Sequence, residues 1–389
     1  MSGRGLPARL LSVLAQALGP NPVALHEPVF SGREWDYVRE CLDSGWVSSV
    51  GRYVDRFEAD LASYTGARHA IAVVNGTAAL HAALLLAGVQ PGDEVLVPAL
   101  TFVGTANAVA YCGATPHFVD SAPDTLGLDP AALADYLRDI ADATADGCRN
   151  RRSGARIAAV VPVHVFGHPV ALGALLETAE RYNLPVVEDA SEAIGSYYEG
   201  RHAGTFGRLG MLSFNGNKTI TTGGGGAILT DDPELARRAK HITTTAKEPH
   251  RWAYLHDEVG FNYRLPNINA ALGCAQLEQL DGFIDRKRRL TERLGAALAG
   301  MNGVTLVREP PRCRSNYWLQ AILLDPSLVD KRDAVLEATN DAGYMTRPVW
   351  RLMHRLPMYA GCPRMPLAVA EDLERRLINL PSGMSLCSD

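Results

Sequence analysis

The sequence predicts an α/β protein built on a mostly parallel sheet covered on both faces, followed by a smaller α+β domain. Up to about His241, short apolar runs bounded by glycine and proline alternate with stretches of helical period, the pattern of strand–helix–strand units. A helical stretch from Asn269 to about Leu298 then leads into a mixed tail. At 389 residues the chain exceeds the usual single-domain size, so two domains are expected. We place an N-terminal arm at 1–26, the large α/β domain at 27–259, and the linking helix with the small domain at 260–389.

Bulk properties narrow the function classes. A hydrophobic content of 47% with 21% charged residues suits a soluble globular protein. The net charge of −5 supplies no basic field for nucleic acid or an anionic membrane. Seven cysteines, without a Cys-x-x-Cys pair, argue against a disulfide framework or a zinc ribbon and favour a reducing cytoplasm. Pro7, Arg9 and Gln16 interrupt the apolar run Leu6–Leu18, which reads as an amphipathic arm rather than a signal peptide. No run is long enough to span a bilayer.

Taken in order, residues 32–42 read as a helix with Trp35, Val38 and Leu42 at helical spacing. Trp46, in the turn that follows, is a packed aromatic or a ligand contact. Residues 70–75 form a strand, and Gly76-Thr77-Ala78 opens an apolar helix to about Leu86. A helix N-terminus after a glycine turn is a natural anion site; the alternative is an ordinary turn with Thr77 as cap. The strand over 93–98 leads to Phe102, which is core filler or a ring stacked on a flat ligand. A strand over 114–120 and a helix over 130–140 precede a polar surface loop, 141–155, with Arg149, Arg151 and Arg152 solvated. The strand over 156–163 ends in Pro162-Val163-His164-Val165-Phe166-Gly167-His168-Pro169. His164 and His168 would suit a metal only on a helix, which Pro162, Gly167 and Pro169 oppose, so no metal site is expected. An Asn-capped helix is expected to start near Asn267. Beyond it lie a strand over 318–324, a helix over 331–342, and Arg347-Pro348-Val349-Trp350 near His354.

The chemistry concentrates in Leu212-Ser213-Phe214-Asn215-Gly216-Asn217-Lys218-Thr219-Ile220, which runs into Gly223–Gly226. One lysine among small polar residues and glycines is either solvated surface or an amine tuned for covalent chemistry. It is no Walker loop, because Asn217 separates Gly216 from Lys218. Upstream, Pro185–Glu192 reads as a buried strand ending in Asp189 and Glu192, and ligands of open α/β sheets sit at such carboxyl ends. A carboxylate there can pair with a pyridinium nitrogen while the lysine carries an aldehyde, the arrangement that pyridoxal phosphate requires.

Glu188-Asp189-Ala190, followed by Ser213-Phe214-x-x-x-Lys218-x-Ile220-Thr221-Thr222-Gly223, resembles the DegT/DnrJ/EryC1/StrS family of sugar aminotransferases. The resemblance runs from about Glu27 to Pro381. It implies a fold-type I enzyme using pyridoxal 5′-phosphate (PLP) and its pyridoxamine form (PMP) to aminate nucleotide-linked keto sugars, with glutamate as donor and 2-oxoglutarate as product. It implies that Lys218 bonds the cofactor and moves the proton, and that Asp189 pairs with the ring nitrogen. Gly76, Thr77, Ala78 and Ser213 would hold the cofactor, Phe102 would stack on it, and Glu192 would lie near its phenolic oxygen. In Asn262-Tyr263-Arg264, Asn262 would reach the phosphate of a neighbouring subunit, implying a homodimer with shared sites. His164, Asn217, Arg264 and His354 are the substrate candidates.

Two positions depart from the commoner family pattern. Glu192 stands where Gln or His is usual, without an evident cationic partner, and Gly224 replaces a common glutamate. Both variants resemble the branch that aminates C4 of UDP-linked 4-keto-6-deoxy-N-acetylhexosamines, as in legionaminic acid and bacillosamine pathways. Enzymes acting at C3 or on dTDP- or GDP-linked sugars are the alternative. A dehydratase branch would carry His in place of Lys218, a PLP-domain regulator would carry a basic DNA-binding module, and a nucleotide-binding module would need Gly-x-Gly-x-x-Gly after the first strand.

Overall fold

The computed structural model describes residues 5–144 and 147–387. Helix α1 (Leu6–Leu18) buries Leu10 and Leu14 completely. They join Leu290, Leu294, Ile322 and Ile378 in one apolar cluster, so this segment packs on C-terminal elements. Helices α2 (Glu34–Ser44) and α3 (Arg52–Thr65) follow. The helix expected over 32–42 is present, but its face differs from the expected one. Trp35, 77% exposed, and Leu42 point outward, while Glu34, Tyr37 and Cys41 are buried. The reason is polar: Glu34 accepts hydrogen bonds from the Gln276 and Gln279 side chains at 2.6 and 2.7 Å and from the Gly32 N–H at 2.8 Å, enough to satisfy a buried carboxylate.

The large sheet is assembled from β1 (His69–Val73), β2 (Glu94–Pro98), β3 (Thr115–Val119), β4 (Ala141–Thr144), β5 (Gly147–Asn150), β6 (Arg156–Val160), β7 (Val187–Asp189), β10 (Leu209–Ser213) and β11 (Gly226–Thr230), while the short β8 (Tyr197–Tyr198) and β9 (Arg201–His202) belong to a separate small sheet. Strands β1-β11-β10-β7 form one run and β3-β2-β6-β5-β4 another. Parallel bridges from Val160 to Val186 and from Val163 to Asp189 join β7 to the end of β6. Along β1-β11-β10-β7-β6-β2-β3, only β11 runs against the rest. Every residue of β2, β10 and β11 is buried, as sandwiching between helices demands. Those helices are α4 (Gly76–Leu86), α5 (Val103–Tyr111), α6 (Pro130–Ile140), α7 (Leu172–Arg181) and α8 (Pro233–Thr243). Helix α4 is apolar nearly all round and buried, the composition of a helix enclosed by other elements.

The surface loop expected over 141–155 is instead largely the β4–β5 hairpin; Ala145 and Asp146 lie outside the described residues. Buried Glu94 on β2 draws the segment in, accepting hydrogen bonds from Asn150 Nδ2 at 2.8 Å and Ser153 Oγ at 2.5 Å. The arginines are also engaged: Arg149 donates to the Gly154 carbonyl, Arg151 pairs with Asp142, and Arg152 lies over the Tyr136 ring.

The single long helix expected from Asn269 to Leu298 is divided into α9 (Asn267–Leu277) and α10 (Leu280–Leu298). At the break, Gln279 turns its amide to Glu34 and to the Ala275 carbonyl. Asn267 does not cap α9; it lies inside the helix, its side chain bonding the Tyr53 N–H at 3.0 Å and the Trp46 carbonyl at 2.7 Å. The C-terminal sheet has the order β12 (Val304–Leu306), β14 (Gln320–Leu324), β16 (Leu377–Leu380), β15 (Arg347–Pro348). Strand β13 (Cys313–Arg314) pairs with β8, and α11 (Arg332–Asp341) and α12 (Ala368–Arg376) complete the chain's helices among the described residues.

Candidate active site

A cavity of about 300 Å³ opens at the carboxyl ends of β2, β7 and β10, where Gly76, Phe102, Asp189, Ser213, Lys218 and Trp318 meet around it. This is where the crevice of an open α/β sheet is expected. The α4 N-terminus forms one wall. Asn75, not Thr77, caps it, accepting the Ala78 N–H at 2.8 Å. Gly76 is required there, since a Cβ would stand 2.8 Å from Ser213 Cβ. Gly76 and Thr77 line the cavity, whereas Ala78 faces a neighbouring depression with Tyr111 and Tyr263.

Asp189 ends β7 and is almost fully buried. Its Oδ2 accepts Thr105 Oγ1 at 2.8 Å, and its Oδ1 accepts the Ser191 N–H at 3.2 Å and the Ser191 hydroxyl. Thr105 sits in the first turn of α5, just after Phe102. That spacing is the only sequence signal of its role, and sequence reasoning passed over it. Phe102 is 55% exposed and lines the cavity, so core filler is excluded; its ring meets Trp350 edge-on at 6.4 Å.

Lys218, its side chain 13% exposed, directs Nζ to Glu192 Oε1 at 3.3 Å and stands 4.0 Å from the centre of the Trp318 ring. Glu192 therefore has the cationic partner that the sequence did not reveal. Its Oε2 accepts the Phe166 N–H at 2.9 Å. Burial pushes the Glu192 carboxyl above its ordinary range, with Asp189 adding to the rise and Lys218 and the Phe166 N–H opposing it. Asn217 also lines the cavity, and its carbonyl accepts Trp318 Nε1 at 2.7 Å.

Four other expected site residues lie elsewhere. His164 is fully buried away from the cavity; its Nε2 meets Glu188 at 3.1 Å and its Nδ1 accepts the Val170 N–H at 3.3 Å, so it offers nothing to a substrate. His354 is packed beside Glu371 at 3.5 Å and does not line the cavity either. Asn262 and Arg264 bond each other at 3.0 and 3.1 Å, outside the cavity wall, with Asn262 exposed.

The family profile described as the DegT/DnrJ/EryC1/StrS aminotransferase family matches residues 30–389. The chain belongs to that family. It is 40% identical over 365 residues to the GDP-perosamine synthase of Caulobacter vibrioides, covering 94% of each chain. To the GDP-perosamine synthase of Escherichia coli O157:H7 it is 40% identical over 367 residues, covering 94% of this chain and 95% of the other. Among solved structures, the aminotransferase TlmJ from Streptoalloteichus hindustanus superposes with a TM-score of 0.85 at 31% identity, covering 95% of each chain. As a DegT/DnrJ/EryC1/StrS protein the chain is a fold-type I aminotransferase that depends on PLP. The residues present suit that cofactor: an amine and a deeply held carboxylate face one cavity, with a helix N-terminus and an exposed flat ring on its walls. Among the described residues no helix is long and apolar enough to cross a membrane.

Proposed function

We propose that this chain transfers the amino group of glutamate to the C4 ketone of a GDP-linked 4-keto-6-deoxy sugar. The nucleotide rests on one observation, the 40% identity along almost the whole chain to two proteins named for making a GDP-linked 4-amino sugar. It favours the GDP alternative over the UDP-linked N-acetylhexosamine that the Glu192 and Gly224 variants suggested.

The bound cofactor supplies an aldehyde that bonds amines and a ring that accepts the electrons released when a carbon beside nitrogen loses its proton. The chain's residues divide the remaining work. Asp189, steadied by Thr105 and Ser191, would hold the proton on the ring nitrogen. Lys218 Nζ would hold the aldehyde. Its amine would take the proton from glutamate Cα and, in the second half, deliver one to sugar C4. The α4 N-terminus with Gly76, Thr77 and Ser213 would take the phosphate, and Phe102 would cover a ring face. Asn262 serves the site of a neighbouring copy, so the working unit is a homodimer.

The test is amination of GDP-, UDP- and dTDP-linked 4-keto-6-deoxy sugars by the glutamate-loaded enzyme, with products identified by NMR. Preferential conversion of the GDP sugar to its 4-amino product is expected. Faster turnover of the UDP-N-acetyl sugar, or amination at C3, would overturn the reading.

A further inference from the structure

We propose that Glu192 and Trp318 form a built-in resting place for the Lys218 amine whenever it is not bonded to the cofactor, so that both act as positioning residues for the second half of the reaction. The inference rests on the PLP reading of this site. A lysine that alternates between bonded and free states leaves a flexible four-carbon cation to be placed in each turnover. Here the free amine has two partners, Glu192 Oε1 at 3.3 Å and the Trp318 ring centre at 4.0 Å. That is within reach of a cation–π contact, which strengthens when desolvated.

Neither partner depends on Lys218 for its own position. Glu192 is anchored through Oε2 to the Phe166 N–H at 2.9 Å. The indole is anchored by Nε1 to the Asn217 carbonyl at 2.7 Å, and the Trp318 backbone by Asn316 Oδ1 at 2.8 Å and by Lys287 Nζ at 3.0 Å. Asn316 ties the two partners together, its Nδ2 donating to the Glu192 carbonyl at 2.8 Å. Both side chains are buried, so the resting place is formed before the lysine enters it.

The prediction concerns an equilibrium. The holoenzyme is titrated with glutamate/2-oxoglutarate mixtures, and the ratio of lysine-bonded to pyridoxamine form is read from absorbance. Trp318→Leu should shift that ratio about tenfold toward the lysine-bonded form, while Trp318→Phe, which keeps an aromatic face, should shift it less than about threefold. Glu192→Gln should shift it in the same direction as Trp318→Leu. In cofactor-free protein, Trp318→Leu should capture added PLP several-fold faster, because the amine is no longer held. An unchanged ratio with intact PLP binding and melting temperature, or a shift toward the pyridoxamine form, would overturn the proposal. Wild-type protein that fails to bind PLP would instead overturn the reading on which it rests. If Trp318→Leu does not fold, Glu192→Gln decides by the same titration.

Discussion

Asp189 ends β7 and Lys218 lies in the loop that follows β10, and they meet at one cavity because β7 and β10 run parallel and adjacent, with Met211 opposite Asp189. Lys218→Ala should abolish the lysine-bonded absorbance band and turnover while leaving PMP binding, and borohydride reduction of the wild type should label Lys218 alone. Asp189→Asn cannot keep the ring nitrogen protonated. A loss of several orders of magnitude in the single-turnover half-reaction with glutamate is expected, at about 1.4 kcal/mol of barrier for each tenfold. Thr105→Val removes the donor at 2.8 Å from Asp189. It should lower the same rate about tenfold and stability by about 1 kcal/mol, read from stopped-flow absorbance and a denaturant midpoint. Motif residues such as Asp189 and Lys218 were legible because their chemistry is unusual in its local setting. Thr105 and Trp318 were not, because their importance lies in a partner distant along the chain.

Strand β7 shows how one element serves two sites. Successive strand residues face opposite sides, so Asp189 faces the cavity while Glu188 faces inward to His164 and to the N–H groups of Gly204, Phe206 and Gly207. Burial alone would push the Glu188 carboxyl up, but His164 and these N–H groups together hold it below the ordinary carboxylate range. Its folded value is thus depressed, so its contribution to stability is present above the unfolded value of about 4.3 and is lost as pH falls through and below it. Glu188→Gln should cost about 3 kcal/mol near neutral pH and flatten the fall in denaturant midpoint between neutral and acid pH; an unaltered acid limb would contradict this assignment. The α3–α9 contact makes a second element-scale prediction. A Cβ on Gly273 would stand 2.7 Å from Phe57 and 2.8 Å from Thr222, so Gly273→Val should destabilise by about 1–3 kcal/mol through overpacking, measured as a shift in melting temperature. At this scale the helix over α2 was legible from its period, but its buried face was not. Apolar spacing nominated Trp35 and Leu42, whereas Glu34 turned inward because Gln276 on α9 and Gln279 at the break that follows it satisfy it.

On the whole molecule, Trp35, Leu42, Trp252 and Tyr254 are large apolar side chains exposed on this chain. Asn262, exposed and outside its own chain's cavity, is the residue proposed to complete the neighbour's site. Asn262→Ala should weaken PLP retention roughly ten- to hundredfold, the value of about 1.5–3 kcal/mol for a hydrogen bond to a charged group, as followed by equilibrium dialysis. Light scattering that found a fully active monomer would refute the shared site.

The alternation of strands and helices, the strand carrying Asp189, the Lys218 loop and the helix opening at Gly76 are set by local pattern and local chemistry, and the sequence by itself determined them. Tertiary structure alone decided which side chains reach the cavity. His164 sits in a loop beside the site by sequence, yet Glu188 withdraws it into the core, and Glu192 lacked a partner until Lys218 was brought to 3.3 Å. The pairing of β4 with β5 and the break between α9 and α10 were likewise decided by distant buried carboxylates, Glu94 and Glu34. A buried charge must find its donors wherever the fold places them, and such pairings leave no periodicity in the chain.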